Sequence, residues 1–283
     1  MTDLHVHTAF SADGKSPMEE ILSAAKRKKF GYIGFSEHFD CRFRGRFRAL
    51  ENGEDVEKFA YESAFTDADR YFSRGRALQK KYAKKLTVLL GAEMGFVEDL
   101  DMQERYCAVI GEYRPDFVIN SVHKTAEKSF YKEIYKNPDG SVPPKAEVYG
   151  AYFETVEKSL DAIYPYDIVG HLAYCARYAP YEDRRAAYAD FKDPIDRILK
   201  KIIAKGKILE ANTSYPFGDG FLPDSEVFAR YYELGGRKVS FGSDAHAKDR
   251  IGDKRERVIE TFKEIGFTHL TVPVRGEHIL LEI

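Results

Sequence analysis

The chain opens on Asp3-Leu4-His5-Val6-His7-Thr8-Ala9-Phe10-Ser11-Ala12-Asp13-Gly14, and near its far end runs Gly242-Ser243-Asp244-Ala245-His246. Residues two apart on a strand face the same way. Asp3, His5 and His7 therefore share one face of a first strand, expected over 2–7. Three polar groups in a row on an inward face need partners, because an unpaired buried polar group is costly. A metal ion would supply them, and the Asp-x-His spacing of Asp244 and His246 repeats the pattern after a separate strand.

Between these ends, short apolar runs alternate with amphipathic stretches. Strands are expected over 32–36, 86–91, 116–121, 168–169, 207–212, 238–242 and 269–274. Helices are expected over 17–29, 56–85, 148–164, 194–204, 224–234 and 255–265, the first opening on Ser16-Pro17, with proline in its first turn. The alternation predicts an α/β fold, a parallel sheet closed into a distorted (β/α)7 TIM-like barrel, with residues 1–283 as one domain. After successive strands come Glu37-His38, Glu93, His123, Gly170-His171 and Asp244, which is the rim where such barrels carry their chemistry. Two stretches, 124–145 and 173–190, read as insertions over that rim, long enough to act as lids or binding loops.

The bulk properties narrow the class. A net charge of −2 gives no broad attraction to nucleic acid. No apolar run is long enough to span a bilayer, and no basic-then-apolar leader precedes His5. The three cysteines, Cys41, Cys107 and Cys175, are odd in number and far apart, which fits a reducing compartment. A cytoplasmic protein without membrane or nucleic-acid partners is expected; the oligomeric state is not legible.

Six of the eight histidines fall at or beside strand ends, with acids among them. The candidate metal ligands are His5, His7, Asp13, His38, Glu93, His123, His171, Asp244 and His246. Taken singly, a strand-end Glu93 is often a rim ion pair, and His123 or His171 is often structural. Nine together exceed what one ion needs and suit two or three. Mixed nitrogen and oxygen donors without thiolate favour zinc, manganese or iron. Cys41 and Cys175, near His38 and His171, form no Cys-x-x-Cys pair and read as neutral thiols. His269 and His278 stand outside the cluster.

These motifs resemble the polymerase-and-histidinol-phosphatase (PHP) family of metal-dependent phosphoesterases. The matching segments are 3–14, Gly34-Phe35-Ser36-Glu37-His38, Leu90-Gly91-Ala92-Glu93, Ser121-Val122-His123, Gly170-His171 and 242–246, in the family's order and spread over the chain. The resemblance implies a distorted seven-stranded barrel with a trinuclear site. It implies that His5, His7, Glu93 and Asp244 hold one ion, that Glu93 bridges to a second held with His123 and His171, and that Asp13, His38 and His246 hold the third. Stand-alone length and Leu209-Glu210-Ala211-Asn212-Thr213-Ser214-Tyr215 are similar to the histidinol-phosphate phosphatase branch, implying hydrolysis of L-histidinol phosphate in histidine biosynthesis.

The residues permit that chemistry. No side chain reads as a covalent nucleophile, and no Cys-x5-Arg loop is present, so water activated by metal is the simplest attacker. Glu93, Asp244 and His246 are the candidate catalytic groups, either of the last two being placed to serve the leaving alkoxide. A phosphate dianion also calls for a fixed guanidinium. Arg177 is the best placed, expected to touch phosphate but not the metals, and Arg42 is second; either could instead form a rim salt bridge. Phe39, Tyr174, Tyr178, Tyr181 and Tyr215 are expected to wall the mouth, with Glu37 or Asp40 facing a cationic substrate. Three alternatives remain: a phosphatase acting on another small phosphomonoester; a phosphodiesterase or nuclease, for which Arg42, Arg44, Arg46 and Arg48 form the only basic run; and a non-catalytic regulatory barrel, which would not need an intact ligand set.

Overall fold

The structure is a computed structural model. It describes residues 1–40, 65–125, 128–130, 132–217 and 219–283, and the backbone alone of 41–51 and 54–64. Its strands are β1 (Thr2–Val6), β2 (Tyr32–Glu51), β3 (Glu54–Phe65), β4 (Thr87–Gly95), β5 (Phe117–Ser121), β6 (Lys124–Thr125), β7 (Lys128–Ser129), β8 (Ile168–Val169), β9 (Ile208–Asn212), β10 (Val239–Gly242), β11 (His269–Val274) and β12 (Glu277–Glu282). Its helices are α1 (Met18–Arg27), α2 (Ala68–Tyr82), α3 (Leu100–Tyr113), α4 (Lys145–Ser159), α5 (Lys192–Ala204), α6 (Ser225–Glu233) and α7 (Arg255–Ile265).

Seven strands pair in parallel in the order β1-β2-β4-β5-β8-β9-β10, as the alternating sequence pattern predicts. Runs such as Val88-Leu89-Leu90 are apolar on both faces because both faces of a parallel sheet are covered. The helices bury one stripe each. In α5 that stripe is Ile195, Ile198, Leu199 and Ile202, the i, i+3, i+4, i+7 spacing of a single helical face.

The barrel closes between its first and last strands. His7 donates its backbone N–H to the Ala245 carbonyl at 2.9 Å. Asp3 clamps the seam: its Oδ1 accepts from Ser243 N at 3.0 Å, and its Oδ2 from Ser243 Oγ at 2.6 Å and Gly252 N at 2.8 Å. The inward acid of the first strand is thus satisfied by the protein itself and stands apart from the His cluster.

Three expectations are corrected. Residues 56–65 belong to β3, antiparallel to β2, and only 68–82 are helical. Phe59, Tyr61 and Phe65 stand an even number of residues apart, the period of a strand, and Asp67 starts α2 by accepting from Arg70 N at 3.2 Å. Residues 269–274 lie outside the barrel sheet: β11 pairs with β12, and this hairpin packs Val272, Val274, Ile279 and Leu281 against Leu4, Leu89, Phe117 and Ile208. Helix α3 is an addition. Asp99 caps it, accepting from Met102 N at 3.1 Å, so the Asp-x-Asp pairs at 67–69 and 99–101 open helices.

The two rim insertions brace each other. Tyr135 Oη donates to the Cys175 carbonyl, Tyr181 Oη to that of Pro143 at 2.9 Å and Tyr149 Oη to that of Arg184 at 2.5 Å. Among the described residues, no helix is long and apolar enough to cross a membrane.

Candidate metal centre

Parallel register brings the site together. His38 is level with Glu93 across β2 and β4, and Gly95 is level with Ser121 across β4 and β5. His5 and His7 rise from β1, while His123, His171, Asp244 and His246 follow β5, β8 and β10. Asp13, His38, Glu93, His123, Asp244 and His246 line one cleft of about 360 Å³, and His5, His7 and His171 lie buried against its Glu93, so all nine residues singled out from the sequence meet here.

Glu93 stands at its centre and is 1% exposed. Its Oε1 lies 2.9 Å from His171 Nε2, 3.3 Å from His123 Nε2 and 3.3 Å from His5 Nε2. Its Oε2 lies 2.7 Å from His38 Nδ1 and 3.6 Å from His7 Nε2. Asp244 Oδ1 lies 3.4 Å from His7 Nε2, 3.5 Å from His246 Nδ1 and 3.8 Å from His5 Nε2. Asp13 sits at the solvent side, its two oxygens 3.6 Å from His38 Nε2 and 3.3 Å from His246 Nε2.

The donor set fits metal ions. Among the described residues, the buried His5 Nε2, His7 Nε2, His38 Nδ1 and Glu93 Oε2 have no hydrogen bond of good geometry, the close His38–Glu93 contact included, and all four belong to this one cluster. Buried polar atoms are rarely left so. Three overlapping groups have donor atoms close enough for a shared ion: His7, His38 and His246; His5, His7 and Asp244; and His5, Glu93 and His171.

Within the cluster, carboxylates and imidazoles shift one another's ionisation. Burial works to raise the Glu93 and Asp244 carboxyls, but His5, His123 and His38 around Glu93, and Arg177 and His5 around Asp244, hold both well below the usual range. Burial lowers His123, but Glu93 and Asp40 outweigh it and push it up to about 10. His7, surrounded by His38 and His246, is driven down by burial first and then by those neighbours.

A supporting layer of acids and hydroxyls was not singled out as such from the sequence. Glu210, 1% exposed on β9, lies with Oε1 2.7 Å from His5 Nδ1. Asp40 Oδ2 lies 3.1 Å from His123 Nδ1, and Ser121 Oγ donates to Glu93 Oε1 at 2.6 Å. Glu37 is fully buried: its Oε2 accepts from Ser11 Oγ at 2.6 Å and its Oε1 from Thr8 N at 3.0 Å. Glu37 therefore braces the loop after β1 and does not face the mouth. Two glycines make room for such acids. A side chain at Gly95 would run into Asp40, and one at Gly242 into Glu210 and His5. The reasoning applied to Asp3, that a buried strand acid needs a partner, would have found Glu210 as well.

Arg177 lines the cleft but is not clear of the cluster. Its Nη1 donates to Asp244 Oδ2 at 2.8 Å and its Nη2 to Ser214 Oγ at 2.5 Å, and it lies over the rings of Tyr174 and Tyr178 at 5.5 and 5.2 Å. Tyr174 and Tyr178 do wall the cleft, where Lys15 and Arg250 join them. Phe39 and Tyr215 belong to the core, and Tyr181 packs on Tyr135 and Tyr149. The side chains of Arg42 and of the basic run Arg44, Arg46 and Arg48 lie outside the described residues, as does that of Cys41.

Comparison with known proteins gives one consistent likeness. The PHP domain model matches residues 3–214. A Clostridium acetobutylicum protein named "Probable histidinol-phosphatase" is 34% identical over 257 residues, 88% of each chain. The histidinol-phosphatase of Lactococcus lactis is 28% identical, over 95% of this chain and 92% of that one. A crystal structure of histidinol phosphate phosphatase from L. lactis, complexed with zinc, L-histidinol and phosphate, superposes with a TM-score of 0.82 over 98% of both chains at 26% identity.

Proposed function

The chain belongs to the PHP domain family, and we propose that it is a histidinol-phosphatase, hydrolysing L-histidinol phosphate to L-histidinol and phosphate at the cleft around Glu93. It serves histidine biosynthesis in the cytoplasm, with residues 1–283 working as one domain. The observation that carries the reading is the convergence of five imidazoles on the two oxygens of one buried carboxylate. The chain-long likeness to a phosphatase crystallised with zinc, L-histidinol and phosphate supports the choice of substrate.

The cleft takes two to three divalent ions, zinc, manganese or iron. His5, His7, Glu93 and Asp244 would hold one; Glu93, His123 and His171 would hold a second; Asp13, His38 and His246 would hold the third. Ions bound there would polarise phosphoryl oxygens and lower the pKa of a water.

The chain's own groups do the rest. Glu93 keeps the imidazoles converged. Arg177 has five N–H donors, and those not given to Asp244 and Ser214 serve phosphate oxygens at the cleft wall. The guanidinium lies over the rings of Tyr174 and Tyr178. Asp244 and His246 border the place where the leaving alkoxide gains its proton.

The test is a substrate panel for metal-replete protein: L-histidinol phosphate, other amino-alcohol and sugar phosphates, a phosphodiester and single-stranded DNA. L-Histidinol phosphate should give the highest kcat/KM. A higher value for the diester or DNA would overturn the reading in favour of a phosphodiesterase. Elemental analysis of the same protein should give two to three transition-metal equivalents per chain.

A further inference from the structure

We infer that Glu210 is a positioning residue that sets two histidines for ion binding: it fixes which nitrogen of His5 is free, and it holds the backbone of His171 in a strained turn. The inference rests on the function proposed above and deepens it.

Glu210 projects from β9 into the closed interior, 1% exposed. Its Oε1 lies 2.7 Å from His5 Nδ1. Its Oε2 accepts from the backbone N–H of His171 at 2.7 Å and from Asn212 Nδ2 at 3.2 Å. Both oxygens are committed to protein donors, so Glu210 supports the cluster without being offered to an ion.

The consequence for His5 follows from hydrogen-bond inventory. A carboxylate only accepts, so the N–H of a neutral His5 ring must sit on Nδ1. The lone pair is then on Nε2, the buried atom without a hydrogen-bond partner, 3.3 Å from Glu93 Oε1. A carboxylate behind a ligating imidazole selects the tautomer and orients the ring.

The consequence for His171 is conformational. Its φ is +22°, a region a non-glycine residue adopts at a cost. The Glu210 oxygen on its N–H holds that turn, and the turn carries Nε2 to 2.9 Å from Glu93 Oε1. One carboxylate thereby aims histidines from two separate segments at the same central acid. Gly242 completes the arrangement, since any side chain there would occupy the space Glu210 and His5 share.

Glu210→Gln tests the inference in the full-length protein. An amide has one acceptor oxygen and turns an N–H2 toward the other donor, so it cannot serve His5 and His171 together. Two readouts besides turnover are taken. Zinc affinity, by competition with a chromophoric chelator, should fall by about 10- to 100-fold. Nitrogen NMR of the zinc-loaded protein should show His5 as a single Nδ1–H tautomer in the wild type and the loss of that single tautomer in the variant. Wild-type zinc affinity with an unchanged His5 tautomer in a folded Glu210→Gln protein would overturn the inference. If that variant does not fold, Glu210→Asp, which keeps the charge but withdraws it by one methylene, takes its place with the same expected loss and the same overturning result. A wild-type protein that binds no ions or hydrolyses no phosphomonoester would instead overturn the proposed function.

Discussion

Nη1 of Arg177 donates to Oδ2 of Asp244 at 2.8 Å, while Oδ1 of the same carboxylate faces His5, His7 and His246. The residue proposed to grip phosphate is thus fastened to one proposed as a metal ligand. This joins two roles that the sequence keeps apart.

Arg177→Ala should therefore do more than weaken substrate binding. Loss of a charge-assisted fork costs a few kcal/mol, on the order of a hundredfold in kcat/KM. Asp244 also loses the hydrogen bond that orients its carboxylate, so metal occupancy measured by elemental analysis should drop modestly as well. Arg177→Lys should recover only part of the rate, since an ammonium cannot reproduce the planar fork. An alanine variant with normal kcat/KM would assign Arg177 to scaffolding.

Glu93→Gln removes the charge on which five imidazoles converge. Activity should fall by more than about a hundredfold, because metal assistance is worth several kcal/mol. The fold should survive, as read by circular dichroism, while metal content falls below that of the wild type. Near-normal turnover would make Glu93 a rim residue.

Asp3→Ala should act on stability. The substitution strands Ser243 N, Ser243 Oγ and Gly252 N, all donors to one buried carboxylate at the barrel seam. Hydrogen bonds to a charged group are worth about 1.5–3 kcal/mol each, so a loss of at least about 3 kcal/mol is expected in denaturant unfolding. A loss below about 1 kcal/mol would show that the seam does not depend on Asp3.

Asp224 gives a pH-dependent test away from the cleft. Burial, and then the neighbouring Asp219, push its carboxyl up to about 6. The folded state then binds the proton more tightly than the unfolded state, so stability is fully present below the ordinary carboxylate range and is lost as pH rises through about 6. Asp224→Asn, which cannot ionise, should raise Tm at pH 8 but much less at pH 5. Allowing for solvent screening, about 1 kcal/mol is expected at pH 8, or roughly 2–4 °C. An equal change at both pH values would count against the ionisation.

The barrel and the nine converging side chains were legible in the chain itself. Apolar runs buried on both faces, separated by amphipathic stretches, are local patterns, and in a parallel barrel whatever follows each strand must meet at one rim. His5, His7, Glu93 and Asp244 needed no more than that. What tertiary structure alone decided is who partners whom. Asp3 finds Ser243 across 240 residues, His5 finds Glu210 across 205, and Arg177 finds Asp244 across 67. Periodicity shows that a side chain faces inward but not what it meets there. The same limit explains the elements missed: β3 is a strand because it pairs with β2, and β11 leaves the barrel because β12 pairs with it, and neither partnership is written in the spacing of the segment alone.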